Sequence, residues 1–318
     1  MKRIWSAVFL FCLAPLVAEF LLGDLPISML GALVVLAPMY GGGALLIREV
    51  ARRTGGGWPR IFMLALAYAL FEEAFTTQTL FNPNYLHLNL HLLAPAYVAA
   101  LGVGVWWTMN VLTLHTVWSI SVSIALAEAL FPEAENAPWL GGAGLGISAL
   151  LFLLGAAGST AITLKEDPYL ASRAQFTAAA AVCALIVILA FRLPRLVPAR
   201  ASWFAPRPWL AGAAALAAGS IFLVIPRQWA WVAVALYALL DLTMTVAILR
   251  WSCAANWGGL HRLALAGGAA LAYAWHAFIQ VPAVGKTNRI GNAVFAVGLI
   301  ALLTVATRGR IADRQKVA

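Results

Sequence analysis

The sequence has little charge and few cysteines. Only 10% of its 318 residues are charged and 63% are hydrophobic, whereas a soluble globular domain has about 25% charged residues. This composition excludes a cytosolic enzyme and a nucleic-acid-binding protein. Cys12, Cys183 and Cys253 lie far apart in or beside apolar stretches, so neither a disulfide framework nor a CxxC metal site is indicated.

Long apolar runs predict an all-α, polytopic membrane protein. A membrane-spanning helix needs about 20 mostly apolar residues, and lipid admits only helices and closed barrels because every backbone group must be paired. About ten such runs occur, which we place at 4–23, 28–47, 61–81, 101–131, 140–162, 175–191, 209–225, 229–249, 263–283 and 290–307. We expect a single transmembrane domain over residues 1–318.

The basic residues indicate the orientation of these helices. With the N-terminus inside, five basic residues fall outside, namely Lys165, Arg173, Arg227, Lys286 and Arg289. The other 16 of the 21 fall inside, including Arg48, Arg52, Arg53, Arg195, Arg200, Arg262 and Arg310. Because cytoplasmic loops carry the excess of Lys and Arg, we expect both termini in the cytoplasm. The expected location is a cell membrane, either bacterial inner or plasma membrane.

Two local matches suggest an inverted repeat of five plus five helices, with halves 1–164 and 165–318. Residues 68–72 (YALFE) resemble 237–241 (YALLD), and Leu114-His115 resembles Trp275-His276. An odd number of helices per half would insert the halves in opposite senses and bring their polar residues together near the midplane. The alternative is a chance match between helices rich in alanine and leucine.

Ionisable residues inside the predicted helices mark the candidate site. Glu72, Glu73, His115, Asp241 and His276 all fall near mid-depth. Ionisable groups in a bilayer are costly, so they usually face a bundle interior and carry function. The alternative is that they only tie helices together through hydrogen bonds.

The spacing of polar residues adds neighbours to this set. Three pairs lie four residues apart on a common helix face: Glu73 with Thr77, His115 with Ser119, and His276 with Gln280. We expect Thr77, Ser119 and Asp241 to contact the substrate. Glu19, near the end of the first run, is a weaker candidate because its side chain can reach the membrane surface.

The motif Glu72-Glu73 resembles the first motif of the CAAX-protease and bacteriocin-processing family, the glutamic intramembrane proteases. His115 on the next helix, and His276 followed four residues later by Gln280, resemble that family's histidine motifs. The sequence departs from the family where Thr77 replaces arginine, Val111 replaces phenylalanine and Gln280 replaces asparagine.

This resemblance implies an intramembrane peptidase. Glu72, with His115, would activate a water molecule, Glu73 would be the supporting acid, and His276 and Gln280 would stabilise the oxyanion. No metal or other cofactor is then required, although the two histidines and two carboxylates could equally bind a divalent cation. The expected partners are the lipid bilayer and a membrane-embedded peptide or small-molecule substrate, with no nucleic acid.

Two other functions remain open. The apparent inverted halves, with acids in the third and eighth helices, suit a proton- or ion-coupled transporter. The other possibility is a scaffold protein, which would have the same helices but would catalyse no reaction. Adjacent glutamates followed by two histidines favour the hydrolase, because a transporter has no specific need of them.

One polar segment lies outside the predicted helices. Residues 86–91 (LHLNLH) alternate apolar and polar side chains, which is typical of an interfacial segment. The alternative is that His87 and His91 share a face and bind a metal ion.

Overall fold

The computed structural model describes residues 2–193, 203–282 and 284–317. Within these ranges ten helical segments follow one another: α1 (Arg3–Phe20), α2 (Ile27–Arg53), α3 (Gly57–Phe71, continued by Glu72–Thr76), α4 (Val105–Leu130), α5 (Gly142–Glu166), α6 (Arg173–Arg192), α7 (Pro208–Val224), α8 (Trp231–Ser252), α9 (Gly259–His276) and α10 (Arg289–Val317). Seven of them (α1, α2, α4, α5, α6, α8 and α10) are long and apolar enough to cross a membrane. The expected fold class, an all-α polytopic membrane protein, is confirmed.

Helix α4 lies at the centre of the bundle and contacts helices from both ends of the chain. Its Trp118 stacks on Tyr273 of α9 with 4.7 Å between ring centroids, and the indole Nε1 donates a hydrogen bond to the Ala269 carbonyl oxygen at 2.7 Å. On another face, Ile120 and Ile124 pack with α1, α2 and α3. The residues 1–164 and 165–318 therefore share one core.

Glycines allow α7 and α9 to approach closely. A side chain at Gly268 of α9 would collide with the carbonyl oxygen of Gly212 on α7. In a membrane the hydrophobic effect does not drive helices together, because lipid is as apolar as the side chains. Small residues at helix interfaces allow the backbones to approach closely and gain van der Waals contacts instead. This contact explains why α9 can be rich in glycine and alanine and still be buried.

A buried ionic network closes one end of the bundle, which we call the charged end. It joins the end of α2, the end of α4, the start of α9 and α10 through Arg48, Arg52, Glu128, Glu135, Arg262 and Arg310. Arg48 Nε lies 3.0 Å from Glu128 Oε1, and both side chains are buried. The four arginines of this network are all residues that the sequence assigned to the inner side. Arg195 and Arg200, assigned to the same side, lie outside the described residues.

The opposite end, which we call the loop end, carries the long connection 77–104. The connection contains a short antiparallel pair, β1 (Tyr97–Val98) and β2 (Val103–Gly104). Asp167 Oδ2, just after α5, anchors it by accepting hydrogen bonds from Asn82 Nδ2 at 2.8 Å and from the Leu86 backbone at 2.9 Å. The connection after α3 and the connection after α5 thus meet at the loop end.

Two helices end earlier than the apolar runs predicted. The run 61–81 stops being helical after Thr76, because Gln78 takes a positive φ of 58°, a backbone state that commonly ends a helix. The run 263–283 stops at His276, and Asn292 of α10 donates a hydrogen bond to the Ala277 carbonyl oxygen at 2.7 Å. Glu72, Glu73 and His276 therefore lie in the last turns of their helices.

Candidate functional site

Four helices widen into π-helical turns, and each turn carries polar residues of one buried cluster. Within the described residues these turns are Leu16–Phe20 with Glu19, Ala37–Gly41 with Tyr40, Glu72–Thr76 with both glutamates, and Leu114–Val122 with His115 and Ser119. Single π-turns inside α-helices occur frequently at functional sites. Pro15 and Pro38 lie at two of these turns, and a proline removes a backbone donor from a helix.

His115 lies between the two adjacent glutamates. Its Nε2 is 2.9 Å from Glu73 Oε1, and its Nδ1 is 3.4 Å from Glu72 Oε2. Nδ1 is also 3.1 Å from the Ser119 hydroxyl oxygen, one turn along α4. The three ionisable side chains are almost completely buried, the imidazole being 12% exposed. The structure thus brings together Glu72, Glu73, His115 and Ser119 from α3 and α4.

The Glu73 carboxylate is held firmly by its neighbours. Its Oε2 accepts hydrogen bonds from the Thr77 hydroxyl at 3.0 Å and from the Thr79 hydroxyl. Thr79 Oγ1 accepts in turn from Trp107 Nε1 at 2.9 Å. With His115 on Oε1, both oxygens of Glu73 are engaged. This environment fixes the Glu73 carboxylate in one orientation.

The Glu72 carboxylate has a different environment. Its Oε2 is buried and receives no hydrogen bond from the described residues. The hydroxyl groups of Tyr40 and Tyr68 face this carboxyl group, and the Tyr68 hydroxyl forms no hydrogen bond of normal geometry in this part of the chain. Tyr40 stacks on the His115 ring with 5.8 Å between centroids. Glu72 therefore keeps one buried oxygen available for a ligand.

A row of polar contacts continues from this cluster toward the loop end. The Tyr40 hydroxyl donates a hydrogen bond to Glu19 Oε1 at 2.6 Å. In the loop after α1, Asp24 Oδ1 accepts a hydrogen bond from Gln280 Nε2 at 2.6 Å. Burial raises the pKa of the Asp24 carboxyl group, and the hydrogen bond from Gln280 opposes that rise. Glu19 thus points into the bundle rather than toward the membrane surface.

The predicted site residues differ in depth along their helices. At about 1.5 Å per residue, Glu72 and His115 both lie about 22 Å from the charged ends of α3 and α4. His276 lies about 25 Å and Asp241 about 16 Å from the charged ends of α9 and α8 by the same measure. The site is therefore displaced from the middle of the bundle toward the loop end.

Three of the predicted site residues lie elsewhere. Asp241 accepts a hydrogen bond from Thr113 at 3.0 Å. Thr113 lies two residues before His115 and therefore on a different face of α4. Among the described residues no ion pair or side-chain hydrogen bond joins Asp241, His276 or Gln280 to Glu72, Glu73 or His115. His276 has its Nδ1 buried without a hydrogen bond in the described residues. A position inside a membrane helix does not by itself bring these residues into one site.

Sequence reasoning did not find four aromatic and hydroxyl residues of the site. Tyr40, Tyr68, Thr79 and Trp107 are ordinary residues for membrane helices and their ends, and no spacing rule connects them to the glutamates. Pro38, two residues before Tyr40, was the available signal, because proline inside an apolar helix indicates an irregular turn.

Glu72, Glu73 and His115 are the described residues whose ligand atoms cluster as a metal site would require. One ligand atom from each lies within 4.8 Å of the others. His87 and His91, the alternative metal pair, are exposed, and both take a positive φ in irregular backbone. Their neighbours Leu88 and Leu90 are half-buried, as expected for an interfacial segment.

The fold and this cluster define a helical membrane protein with a buried Glu-Glu-His centre. The chain belongs to an uncharacterized membrane protein family, whose model matches residues 8–308. No curated protein and no solved structure matches the chain. The resemblance to the CAAX-protease and bacteriocin-processing family was therefore wrong, since the matching family is a different one. Short Glu-Glu and His-x-x-x-Gln patterns occur readily in a long apolar chain and do not show common ancestry.

Proposed function

We propose that the protein is a membrane-embedded hydrolase in which Glu72 and His115 activate a water molecule. The observation that carries the proposal is the buried Glu72 Oε2, which has no hydrogen bond in the described structure and lies 3.4 Å from His115 Nδ1. General-base catalysis requires a group that can accept a proton within hydrogen-bond reach of the attacking water, and the unoccupied Glu72 oxygen can be that group.

The two glutamates take different roles in this proposal. Glu73 is a positioning residue, because Thr77, Thr79 and His115 occupy its oxygens. Glu72 is the catalytic base, because one of its oxygens is free to accept a proton. Neighbouring polar groups that differ in environment commonly divide acid, base and orienting roles in this way.

The reaction follows from these roles. Glu72 accepts a proton from water while the water oxygen attacks a carbonyl carbon of the substrate. When the tetrahedral intermediate collapses, the leaving amine or alcohol receives that proton. His276 and Gln280 do not reach this centre, so the Tyr68 hydroxyl, which lacks a hydrogen bond of normal geometry among the described residues, is the better candidate to stabilise the oxyanion.

The depth of the site indicates the class of substrate. Glu72 and His115 lie well inside the bundle, so the scissile bond belongs to a molecule that enters from the bilayer, such as a membrane-embedded peptide or an acylated small molecule. The positive-inside pattern supports an orientation with both termini in the cytoplasm, in a protein that we propose lies in a cell membrane. In that orientation the loop end faces the outside of the cell.

The proposal can be tested without knowing the substrate. Native membranes containing the wild-type protein or Glu72→Gln are incubated in ¹⁸O-labelled water, and new carboxylates that carry one ¹⁸O atom are identified by mass spectrometry. We expect labelled products from the wild-type protein and from Glu166→Gln, an exposed acid at the end of α5, but not from Glu72→Gln. Equal labelling in Glu72→Gln membranes would exclude Glu72 as the base.

The row of acids toward the loop end favours a second candidate, a proton-coupled transporter. Glu19 and Asp24 extend the buried acidic groups from Glu72 to the loop after α1, with Tyr40 and Gln280 as hydrogen-bond donors. Rows of protonatable side chains carry protons in transporters. In proteoliposomes holding a pH-sensitive dye, a transporter would dissipate an imposed pH gradient in the presence of its substrate, whereas a hydrolase would leave the gradient unchanged.

A further inference from the structure

We infer that Glu72, Glu73 and His115 bind one divalent transition-metal ion, and that Zn²⁺ fits their chemistry. The ligand set has one imidazole and two carboxylates on neighbouring helices, with one ligand atom from each within 4.8 Å of the others. Zinc sites that perform catalysis have three protein ligands, drawn from His, Cys and carboxylate side chains, and leave the fourth position to water.

Hydrogen bonds from neighbouring residues occupy one atom of Glu73 and one of His115, and each of the three side chains keeps another atom that can bind a metal ion. Thr77 and Thr79 hold Glu73 Oε2, so Oε1 can bind the ion. Ser119 lies at His115 Nδ1, so Nε2 can bind it. Metal-binding histidines almost always have a hydrogen-bond partner on the other ring nitrogen, which orients the ring. Glu72 offers its buried Oε2, which has no hydrogen bond in the described structure.

One of the three ligand-to-ligand distances is already close to that of a zinc site. Tetrahedral ligands at 2.0–2.2 Å from zinc lie about 3.4 Å from one another. His115 Nε2 and Glu73 Oε1 are 2.9 Å apart, so replacing the shared proton by the ion requires a movement of about half an ångström. The three ligand atoms lie within 4.8 Å of one another, and Glu72 Oε2 lies beside Nδ1, so binding of one ion at Nε2 also requires the Glu72 side chain to turn toward that nitrogen.

Charge favours a cation in the same place. Within the described residues no lysine or arginine forms an ion pair with Glu72, Glu73 or Glu19, and His115 is the one positively ionisable partner of the two adjacent glutamates. Buried charges in proteins are usually paired or bound to a metal. A divalent cation would neutralise both glutamates.

Zinc binding does not depend on hydrolysis, but the role of the ion in catalysis rests on the proposed function. Bound zinc would lower the pKa of its water ligand to about 7, so that hydroxide forms without a strong base. In the zinc-bound protein Glu72 Oε2 would bind the ion, and the zinc-bound hydroxide would replace Glu72 as the group that activates water in the proposed hydrolysis. Hydrolysis that persists in metal-free protein would assign water activation to Glu72 alone.

Zinc binding is tested on the full chain in detergent, stripped with a chelator and titrated with zinc chloride in the presence of a chromophoric zinc indicator. We expect one Zn²⁺ per wild-type chain and at least tenfold weaker binding by Glu72→Gln, which loses no hydrogen bond at Oε2. The double variant His87→Ala, His91→Ala removes two exposed histidines and should bind as the wild type does. Absence of zinc from the wild type, unchanged binding by Glu72→Gln, or loss in the double variant would overturn the inference.

X-ray absorption at the zinc edge gives a second test. It uses the wild-type protein alone, so its result does not depend on whether a variant folds. The inferred site has one imidazole and oxygen ligands. A spectrum with one imidazole supports it, and a spectrum with two or more places the ion elsewhere.

Discussion

His115 and Glu73, 42 positions apart in the chain, meet at 2.9 Å between Nε2 and Oε1. Neither residue could reach the other if α3 or α4 were rotated by one residue, because that rotation turns a side chain by about 100° around its helix. The contact therefore fixes the relative rotation of the two helices.

Replacing Thr79 by valine should weaken both the fold and the site. The variant removes a donor to Glu73 Oε2 and an acceptor of Trp107 Nε1, and the loss of a buried partner costs about 1–3 kcal/mol. We expect a lower thermal midpoint and at least tenfold less ¹⁸O labelling. Thr79→Ser keeps the hydroxyl group and should restore labelling. If serine fails to restore it, the threonine contributes by packing alone.

Replacing Arg48 by methionine should destabilise the charged end strongly. Its guanidinium contacts Glu49 at 2.8 Å and Glu128 at 3.0 Å and lies 3.3 Å above the Trp139 ring centroid. Removing one partner of a buried ion pair costs about 3–5 kcal/mol, because the other charge stays buried. The free energy of unfolding can be measured in mixed micelles of a mild detergent and SDS.

Arg53 provides the matched control for Arg48. Its side chain is 31% exposed and lies 3.7 Å from Glu49, and exposed ion pairs contribute about 0–1 kcal/mol. Arg53→Met should therefore lower the free energy of unfolding far less than Arg48→Met. Equal losses would mean that the network does not depend on buried charge.

Replacing Gly268 by leucine should separate α7 from α9. A side chain there collides with the Gly212 carbonyl oxygen, whereas a side chain at Gly298 of α10 has no neighbour within 4 Å. We expect Gly268→Leu to be purified in low yield with a lower thermal midpoint. Gly298→Ala should be neutral or stabilising by up to about 1 kcal/mol, since alanine favours the helix. A stable Gly268→Leu protein would contradict the close packing of α7 on α9.

Replacing Asp241 by asparagine should leave both stability and ¹⁸O labelling intact. Asparagine can still accept the hydrogen bond from Thr113, and it removes an ionisable group whose burial in a bilayer costs at least about 2.5 kcal/mol. The thermal midpoint should be unchanged or higher. Loss of labelling would instead place Asp241 in the functional machinery and favour the inverted repeat.

The orientation of the bundle can be measured with single cysteines. Arg227 lies at the loop end and Arg308 toward the charged end of α10, and both side chains are exposed. On intact cells a membrane-impermeant maleimide should label Arg227→Cys but label Arg308→Cys only after the cells are broken. The opposite pattern would reverse the predicted orientation.

Much of the architecture could be predicted from residue patterns. Apolar runs identified the ten long helical segments of the described residues, and the basic residues Arg48, Arg52, Arg262 and Arg310 were grouped correctly at one end. Spacing of four residues also predicted that Glu73 meets Thr77 and that His115 meets Ser119. These features are local, because they depend on helix geometry and on the solvation of charge.

The membership of the site could not be predicted in the same way. His276 and Asp241 share the chemistry of His115 and Glu72 but lie on helices that present them elsewhere. Tyr40 and Thr79 enter the site because a π-helical turn and an early helix end redirect their side chains. Sequence similarity in short motifs misled the family assignment for the same reason, since composition alone can produce such motifs in apolar helices.

The amino-acid sequence by itself determined that this chain forms about ten apolar helices, of which seven in the described residues are long and apolar enough to cross a membrane, and it placed ionisable side chains deep within them. Burial of apolar surface and the cost of charge in lipid act on each segment separately. Only the tertiary structure decided that Glu72, Glu73 and His115 share one buried centre while Asp241 and His276 do not. Which face of a helix meets which neighbour depends on the packing of all the helices together, through contacts such as Gly212 with Gly268 and Trp118 with Tyr273, and no single segment encodes it.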